Sequence, residues 1–204
     1  MLNLVSIVEG YGEIESLPIL MRRVLAELNL EYSFNIIRPI RQPRDKLLKA
    51  DELERVVEFA ARKVERKGGI LVVLDSDGTP PCELGPTLLL RAARVAPDVP
   101  MRVVLAHKEW ECWYLAAISS LSGHRGLRAN LIAPHDPESI RGAKEWLSHH
   151  MEKGRAYSET VDQPKFAARF DLDAAKALPS FSKFFRDVRG LSEQVARQFP
   201  PQAA

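Results

Sequence analysis

The first half of the chain alternates between two patterns of apolar residues. Residues 2–8 are an apolar run of the kind that forms a buried β-strand. Apolar positions at a three-and-four spacing follow it and predict an amphipathic helix; they are Ile14, Leu17, Leu20, Met21, Val24, Leu25 and Leu28. Pro18 fits such a helix if it lies in the first turn, where amide hydrogens have no helical acceptor. The chain is therefore predicted to begin with a strand and a helix.

Three further segments have the composition of β-strands. They are YSFNIIRPI at residues 32–40, ILVVLD at 70–75 and MRVVLA at 101–106. The second is a continuous apolar run, which is typical of a strand buried on both faces of a parallel sheet. The third segment is followed closely along the chain by KEWECWYLAAI.

Helical patterns separate these strands. Residues 51–67 predict a helix closed by Gly68 and Gly69, and residues 83–96 predict another. The apolar face of the first of these helices is predicted to contain Val56, Phe59, Ala60 and Val64. Strands that alternate with helices indicate an α/β fold class with a mostly parallel central sheet flanked by helices.

The pattern weakens after residue 122. Residues 122–140 are rich in glycine, proline and polar residues and predict a long connection. Residues 141–151 and 180–198 predict helices. We therefore divide the chain into an α/β domain at residues 1–122 and a C-terminal extension of loop and helices at 123–204, packed on the same domain as a helical appendage.

Composition limits the class of protein. A chain of 204 residues is long enough for one main domain, and 46% hydrophobic with 27% charged residues argues against wholesale disorder. The net charge is only +2, so affinity for nucleic acid must come from local patches. No apolar run reaches the ~18 residues of a membrane span, and the start lacks a basic signal region, so we expect a cytoplasmic protein. Cys82 and Cys112 alone provide neither a zinc site nor a disulfide framework.

Acidic residues stand where three of the predicted strands end. Glu9 follows the first strand, Asp75 and Asp77 the ILVVL run, and Glu109 the MRVVLA run with Glu111 close behind. Each alone could be a turn or helix-cap residue. In a parallel sheet, however, they meet at one edge, where they would repel one another unless a cation neutralised them. Such oxygen ligands suit Mg²⁺ or Mn²⁺, so the sequence predicts a divalent-metal site.

The spacing of the two aspartates adds to this prediction. If the extended geometry persists past the strand, Asp75 and Asp77 project toward the same volume, and Gly78 and Pro80 turn the chain away.

Basic residues follow the second predicted strand. They are Arg38, Arg41, Arg44, Lys46 and Lys49. A basic loop leaving the same sheet edge could bind the phosphates of a nucleic acid by charge and by bidentate guanidinium contacts. Lys108, at the end of the last strand, is a further candidate. The alternative is a solvated linker.

Two other segments can each be interpreted in two ways. Trp110 and Trp113 are three residues apart on a predicted helix, and we expect them to pack in the core rather than to stack on bases. The segment YSETVDQPKF, residues 157–166, carries polar residues that an apolar helix face does not need. It is either a loop that folds back and forms hydrogen bonds near the acidic residues, or a contact for a partner.

The motif VVLDSDGT resembles the first motif of the haloacid dehalogenase phosphatases. That likeness implies Asp75 as a nucleophile and Asp77 as an acid/base. Those enzymes also use a later acidic loop, usually Gly-Asp, and the chain contains no such dipeptide; Pro80 and Pro81 stand where that family continues with apolar residues. A phosphatase using Asp75 stays an alternative.

A second resemblance covers nearly the whole chain. VEGYGE after the first strand, together with LDSD after a later one, resembles the Toprim domain of topoisomerases, primases and overcoming-lysogenization-defect nucleases. Four ordered motifs, VEGYGEIESLPIL, DSDGTPPCELGP, KEWECWYLAA and YSETVDQPKF, resemble the bacterial Domain of Unknown Function family 4276, whose members are regarded as Toprim-like. The resemblance implies a Toprim-like α/β fold.

The resemblance also implies roles for individual residues. Glu9 is expected to be a general acid/base or a metal ligand, and Asp75 and Asp77 to be metal ligands. Glu13 matches the second acid of an EGxxE pattern and completes the expected catalytic set. Glu109 and Glu111, in the KEWECW motif, are further candidate metal ligands. Residues 78–79, Gly and Thr, stand where many relatives carry acids, so one or two metals are possible.

The function expected from this resemblance is Mg²⁺- or Mn²⁺-dependent phosphoryl transfer by a Toprim-type nuclease acting on DNA or RNA. No tyrosine stands at a topoisomerase-like spacing, which favours hydrolysis over strand passage. Nucleases of this branch often work with an ATPase, and this chain has no GKS or GKT of its own, so a separate ATPase is a candidate partner. The alternative is a non-catalytic regulatory subunit that binds metal or nucleotide.

Overall fold

A four-stranded parallel sheet lies at the centre of the computed structural model, which describes residues 1–200. The strands are β1 (Leu2–Val8), β2 (Phe34–Arg41), β3 (Gly68–Asp75) and β4 (Met101–Ala106), in the order β2-β1-β3-β4. Every neighbouring pair is parallel. The predicted α/β class is confirmed, and the arrangement is consistent with the Toprim-like expectation. The last four residues of the predicted extension, 201–204, lie outside the described residues.

Helices flank both faces of the sheet. They are α1 (Tyr11–Glu27), α2 (Arg44–Leu47), α3 (Glu52–Lys63), α4 (Pro81–Val95), α5 (Cys112–Ala116), α6 (Ile118–Leu121), α7 (Ala143–His149), α8 (Gln163–Ala167), α9 (Leu172–Ala175) and α10 (Pro179–Gln198), with a 3₁₀ turn at Pro137–Ser139. Across residues 1–200, none of these helices has both the length and the apolar character needed to cross a membrane.

The strand order reverses direction between β1 and β3. The chain moves outward from β1 to β2, returns past β1 to β3 and continues to β4, so the connecting helices cover opposite faces. Val5, Ile7 and Val72 face the layer of α3 and α4. Leu4 and Leu71 face the layer that contains α1 and α10. The carboxyl ends of β1 and β3 therefore meet at a topological switch point, where open α/β sheets bind their ligands.

Aromatic side chains join the C-terminal helices to this core. Trp110 and Trp113 are buried, and the Trp113 ring centroid lies 5.2 Å from the centroids of both Phe181 and Phe184. The expectation that the two tryptophans pack in the core is confirmed. The division of the chain at residues 122 and 123 stays a prediction.

The predicted end of helix α3 is wrong. Gly68 and Gly69 do not close a helix but begin β3, and the helix ends at Lys63. The left-handed residues that redirect the chain are Glu65 and Arg66, with φ of 53° and 52°. Glycine is needed at position 68 because a Cβ atom there would lie 2.1 Å from the Asn3 carbonyl oxygen on β1.

Two details of the other helix predictions also differ. Phe59 was placed on the apolar face of α3 but is 51% exposed, while Leu53 and Val57 are buried. Pro18 is the eighth residue of α1, not part of its first turn, so its missing N–H leaves the Ile14 carbonyl without the usual helical donor.

Candidate functional site

Two carboxylates stand side by side at the switch point. The Asp75 N–H at the end of β3 donates to Glu9 Oε1 at 3.0 Å, just beyond the end of β1. Asp75 Oδ1 in turn accepts a hydrogen bond from the Trp110 N–H at 2.7 Å. Glu13 lies on the same edge, in the first turn of α1, where its Oε2 is 2.5 Å from the Gly10 nitrogen. The position of Glu9 and Asp75 agrees with the rule that the strands of a parallel sheet end at one edge, and Glu13, expected from the EGxxE pattern, lies at the same edge.

Asp77 departs from the extended geometry of β3. Its backbone is left-handed, with φ of 54°, so the extended geometry on which the prediction of a shared volume depended ends at this residue. Its carboxylate, 63% exposed, forms an ion pair with Arg44 at 3.3 Å. Arg44 also donates to the carbonyl oxygens of Asp75 and Ser76 at 3.0 and 3.1 Å. The predicted phosphate ligand Arg44 thus orients the DxD loop.

A buried polar network extends the site toward the C-terminal segment. Gln163 Nε2 donates to both Glu13 Oε1 and Glu111 Oε1, each at 3.2 Å. The Tyr157 hydroxyl donates to Glu111 Oε1 at 2.9 Å. Ser16 Oγ donates to Gln163 Oε1 at 2.9 Å, so the amide is held at both ends. Of the two interpretations of residues 157–166, the structure supports the loop that folds back onto the acidic residues.

Glu111 Oε2 is buried and has no hydrogen-bond partner among residues 1–200. A buried carboxylate oxygen without a partner is costly, so it indicates a group that is protonated or that awaits a cation. Glu111 is predicted only as a secondary member of the acidic group, yet it is the acid most deeply enclosed here.

The acidic residues raise one another's pKa. Burial, followed by the charges of Glu9 and Glu111, raises the pKa of Asp75 well above 3.8. Burial also raises the pKa of Glu9 above 4.5, against the opposing effect of the Asp75 N–H. For Glu111, burial raises the pKa to about 7 although the Lys144 ammonium lowers it. The site therefore holds more negative charge than its own cations neutralise, and protons compensate for part of the difference.

Lys144 is the cation that sequence reasoning missed. It forms an ion pair with Glu159 at 2.7 Å, and its charge acts on both Glu111 and Asp75. Burial alone would lower the pKa of Lys144, but the carboxylates of Glu111 and Glu159 outweigh it and raise that pKa. Nothing in the local pattern around residue 144 marks it, because only the path of the long connection brings α7 to the sheet edge.

The other predicted basic and acidic residues have separate contacts. Arg38 forms an exposed ion pair with Glu15 at 3.2 Å, and the Arg41 guanidinium lies 3.8 Å from the centre of the Tyr11 ring. Lys108 Nζ donates to the Ser139 carbonyl oxygen. The carboxylate of Glu109 accepts hydrogen bonds from the N–H groups of Gly142 and Lys144 at 2.8 and 3.4 Å. Glu109 therefore anchors the start of α7, and its role as a metal ligand stays a prediction.

The carboxylate oxygens at this edge are of the chemical type that binds a divalent cation, but their positions do not form a ready set of ligands. Within residues 1–200, no three His, Cys, Asp or Glu side chains are grouped as a metal-ligand set. Glu9 and Asp75 each accept from a backbone N–H, and Asp77 pairs with Arg44. The oxygen donors and the unpartnered Glu111 Oε2 are nevertheless of the kind that Mg²⁺ and Mn²⁺ take.

Gly12→Ala is expected to destabilise the protein. A Cβ atom at position 12 would lie 2.3 Å from Gln163 Oε1 and 2.9 Å from the Glu159 carbonyl oxygen, so the segment across the network must shift. We expect a loss of about 1–3 kcal/mol in the free energy of unfolding. Denaturant titration measures it, with Gly190→Ala in α10 as the control, because a Cβ atom there meets Arg102 at an ordinary 3.7 Å. Equal stability of the two variants would contradict the prediction.

Comparison with known proteins gives one family. The family model described as Domain of unknown function (DUF4276) matches residues 8–189. No curated protein and no solved structure matches the chain.

Proposed function

We propose that this chain, which belongs to the DUF4276 family, is a Mg²⁺-dependent phosphoryl-transfer enzyme of Toprim type that hydrolyses nucleic-acid phosphodiesters. The observation that carries the proposal is the contact of Asp75 with Glu9 at the switch point. It brings acids from two strands together where such sheets bind ligands, and their raised pKa values indicate a site suited to a cation.

Each residue at the sheet edge has a separate proposed role in hydrolysis. Asp75, Asp77 and Glu9 would hold Mg²⁺, which when bound polarises the scissile phosphate and offsets the charge that develops on it. Burial raises the pKa of Glu9, which favours a role in taking a proton from the attacking water or giving one to the leaving oxygen. Arg44 keeps the loop at residues 75–77 in place, and Lys108 lies beside it to attract the substrate phosphate.

The second candidate is a subunit that binds metal or nucleotide without turnover. The ion pair of Asp77 with Arg44 favours it, since that pair must open before Asp77 can hold a cation. A separate ATPase, if it acts with this chain, would be the element that opens it. The phosphatase alternative, with Asp75 as nucleophile, predicts hydrolysis of small phosphomonoesters instead.

A cleavage assay combined with metal titration distinguishes these candidates. Plasmid, single-stranded DNA and RNA are incubated with Mg²⁺ or Mn²⁺, with a phosphomonoester in parallel. Strand scission that EDTA abolishes supports the nuclease. Metal binding without scission, also in the presence of an ATPase partner, supports the subunit, and release of phosphate from the monoester alone supports the phosphatase.

Metal binding is expected to release protons. Glu111 has a pKa of about 7, so at pH 6.5 a cation must displace a proton from it that is largely absent at pH 8.5. The raised pKa values of Glu9 and Asp75 act in the same direction. The apparent affinity for Mn²⁺ should therefore rise at least severalfold between these pH values. Calorimetry in two buffers of different ionisation enthalpy measures the proton count. Affinity and proton release that do not change with pH would contradict the prediction.

A further inference from the structure

Two cavities adjoin the DxD loop. The first, which we name the cationic cavity, has a volume of about 470 Å³ and is lined by residues 76–80 together with Lys108 and Arg141. The second, the apolar cavity, has a volume of about 260 Å³ and lies between α4, β4 and the start of α10. Pro81, Cys82 and His107 line both cavities, so the two lie next to each other.

The two cavities differ in chemistry. The walls of the apolar cavity are formed mainly by Pro81, Gly85, Val103, Leu105 and Pro179. Polar residues complete its lining: His107, Glu138, Ser180 and Lys183. A mostly apolar space with a few polar groups is the usual form of a site for a small organic group.

The cationic cavity is suited to a phosphate. Lys108 and Arg141 bring positive charge to it, and the only carboxylate among its lining residues is that of Asp77, which Arg44 already pairs. Two hydrogen bonds fix the backbone of Lys108 to the loop: its N–H donates to Ser76 Oγ at 2.9 Å, and its carbonyl oxygen accepts from the Asp77 N–H at 3.3 Å. A phosphate bound there would therefore lie next to the proposed metal ligand Asp77.

We propose that the two cavities together bind one unpaired nucleotide of a single-stranded nucleic acid, with its phosphate in the cationic cavity and its base in the apolar cavity. The inference rests on the proposed function and names its substrate class. The apolar cavity, with a volume of about 260 Å³, has room for one base. A base that is paired and stacked in a duplex must leave the helix before it can enter such a cavity, so a duplex would have to open first. Charge complementarity selects the phosphate end, and desolvation of the apolar walls favours the base.

Cys82 provides a probe in the unmodified protein. It is exposed and lines both cavities, whereas Cys112, the second cysteine, is buried. In EDTA, saturating dAMP should slow alkylation of Cys82 by iodoacetamide at least fivefold, as measured by mass spectrometry. Deoxyadenosine or inorganic phosphate at the same concentration should slow it less than twofold. An unchanged rate with dAMP would overturn the proposal.

Variants of Gly85 test the apolar cavity. A Cβ atom at Gly85 would lie 4.0 Å from Leu105 Cδ1, so Gly85→Ala fits, whereas the longer side chain of Gly85→Leu would fill the cavity. We expect Gly85→Leu to weaken binding of a fluorescent single-stranded oligonucleotide at least tenfold in EDTA, and Gly190→Ala, in α10 and outside both cavities, to bind like the parent. Should Gly85→Leu fail to fold, the alkylation test on the parent still decides.

Two further binding measurements complete the test: one compares duplex with single strand, and the other removes a positive charge from the cationic cavity. A duplex of the same length should bind at least tenfold more weakly than the single strand, and Arg141→Ala should weaken single-strand binding and reduce its salt dependence by about one ion. Equal binding of duplex and single strand, or binding of dAMP but not of the strand, would overturn the proposal. Because EDTA is present throughout, a chain that passes these tests but cleaves nothing contradicts only the nuclease.

Discussion

Asp75→Asn is expected to abolish metal binding and phosphodiesterase activity, while the metal-free protein melts at the parent's temperature or above it. Asp75 has a pKa well above 3.8 because it is buried beside Glu9 and Glu111, so loss of its charge removes repulsion. The asparagine oxygen can still accept the hydrogen bond from the Trp110 N–H. Melting curves with and without Mg²⁺, together with the cleavage assay, measure both effects.

Two further variants make this result specific. Asp75→Ala also removes the charge but leaves the Trp110 N–H without its acceptor, so it should be less stable than Asp75→Asn by about 1 kcal/mol. Asp98→Asn removes only an exposed ion pair with Arg66 and should retain metal binding and cleavage. If Mg²⁺ and Mn²⁺ do not stabilise the parent, and both Asp75 variants melt below it without metal, Asp75 is structural and the site based on Glu9 is wrong.

Glu111→Gln is expected to remove much of the pH dependence of stability in the metal-free protein. The pKa of Glu111 is about 7 in the folded chain against 4.5 for an ordinary glutamate, because burial penalises its charge. Its favourable contribution is therefore complete below pH 4.5 and is lost as the pH rises through about 7. The loss between these limits is on the order of 3 kcal/mol.

The test compares how far the free energy of unfolding falls with rising pH in the parent and in the variant. The raised pKa values of Glu9 and Asp75 add a background slope to both proteins, and the part of the Asp75 shift that comes from the Glu111 charge is lost in the variant, which lowers its slope further. Denaturant titrations in EDTA at pH 5 and pH 8 should show a smaller fall in the variant, whatever its absolute stability. Glu58→Gln, which changes an exposed, arginine-paired carboxylate, should keep the parent's fall. If Glu111→Gln also keeps it, Glu111 is not protonated in the folded protein.

Local patterns predicted the strands well because burial on both faces leaves a clear signal. Strands β1 and β4 match their predicted ranges, 2–8 and 101–106, residue for residue. Gly68 was misassigned because its reason is not local: the requirement for glycine comes from the Asn3 carbonyl oxygen on the neighbouring strand. The prediction for Phe59 is wrong because three-and-four spacing identifies the apolar stripe of a helix but does not show which edge of that stripe packs against the sheet.

Of the candidate site, the contact between the ends of β1 and β3 was predictable from the sequence, and the contacts beyond it were not. The rule that strands of a parallel sheet end at one edge places Glu9 beside Asp75, and the structure gives that contact. The direction of Asp77 depends on one left-handed residue and on Arg44 from another connection, which no spacing encodes. Lys144 and Gln163 reach the acids through the path of the C-terminal segment, which the weak pattern after residue 122 did not define.

The amide of Gln163 has a consequence for how the protein is made. It contacts Glu13 across 150 positions of the sequence, so this contact cannot form until the ribosome has synthesised most of the chain. Until then the carboxylates of Glu13 and Glu111 lack the hydrogen bonds that the Gln163 amide donates to them. The order of synthesis thus delays assembly of the acidic site until residues 157–163 have emerged and folded back onto α1.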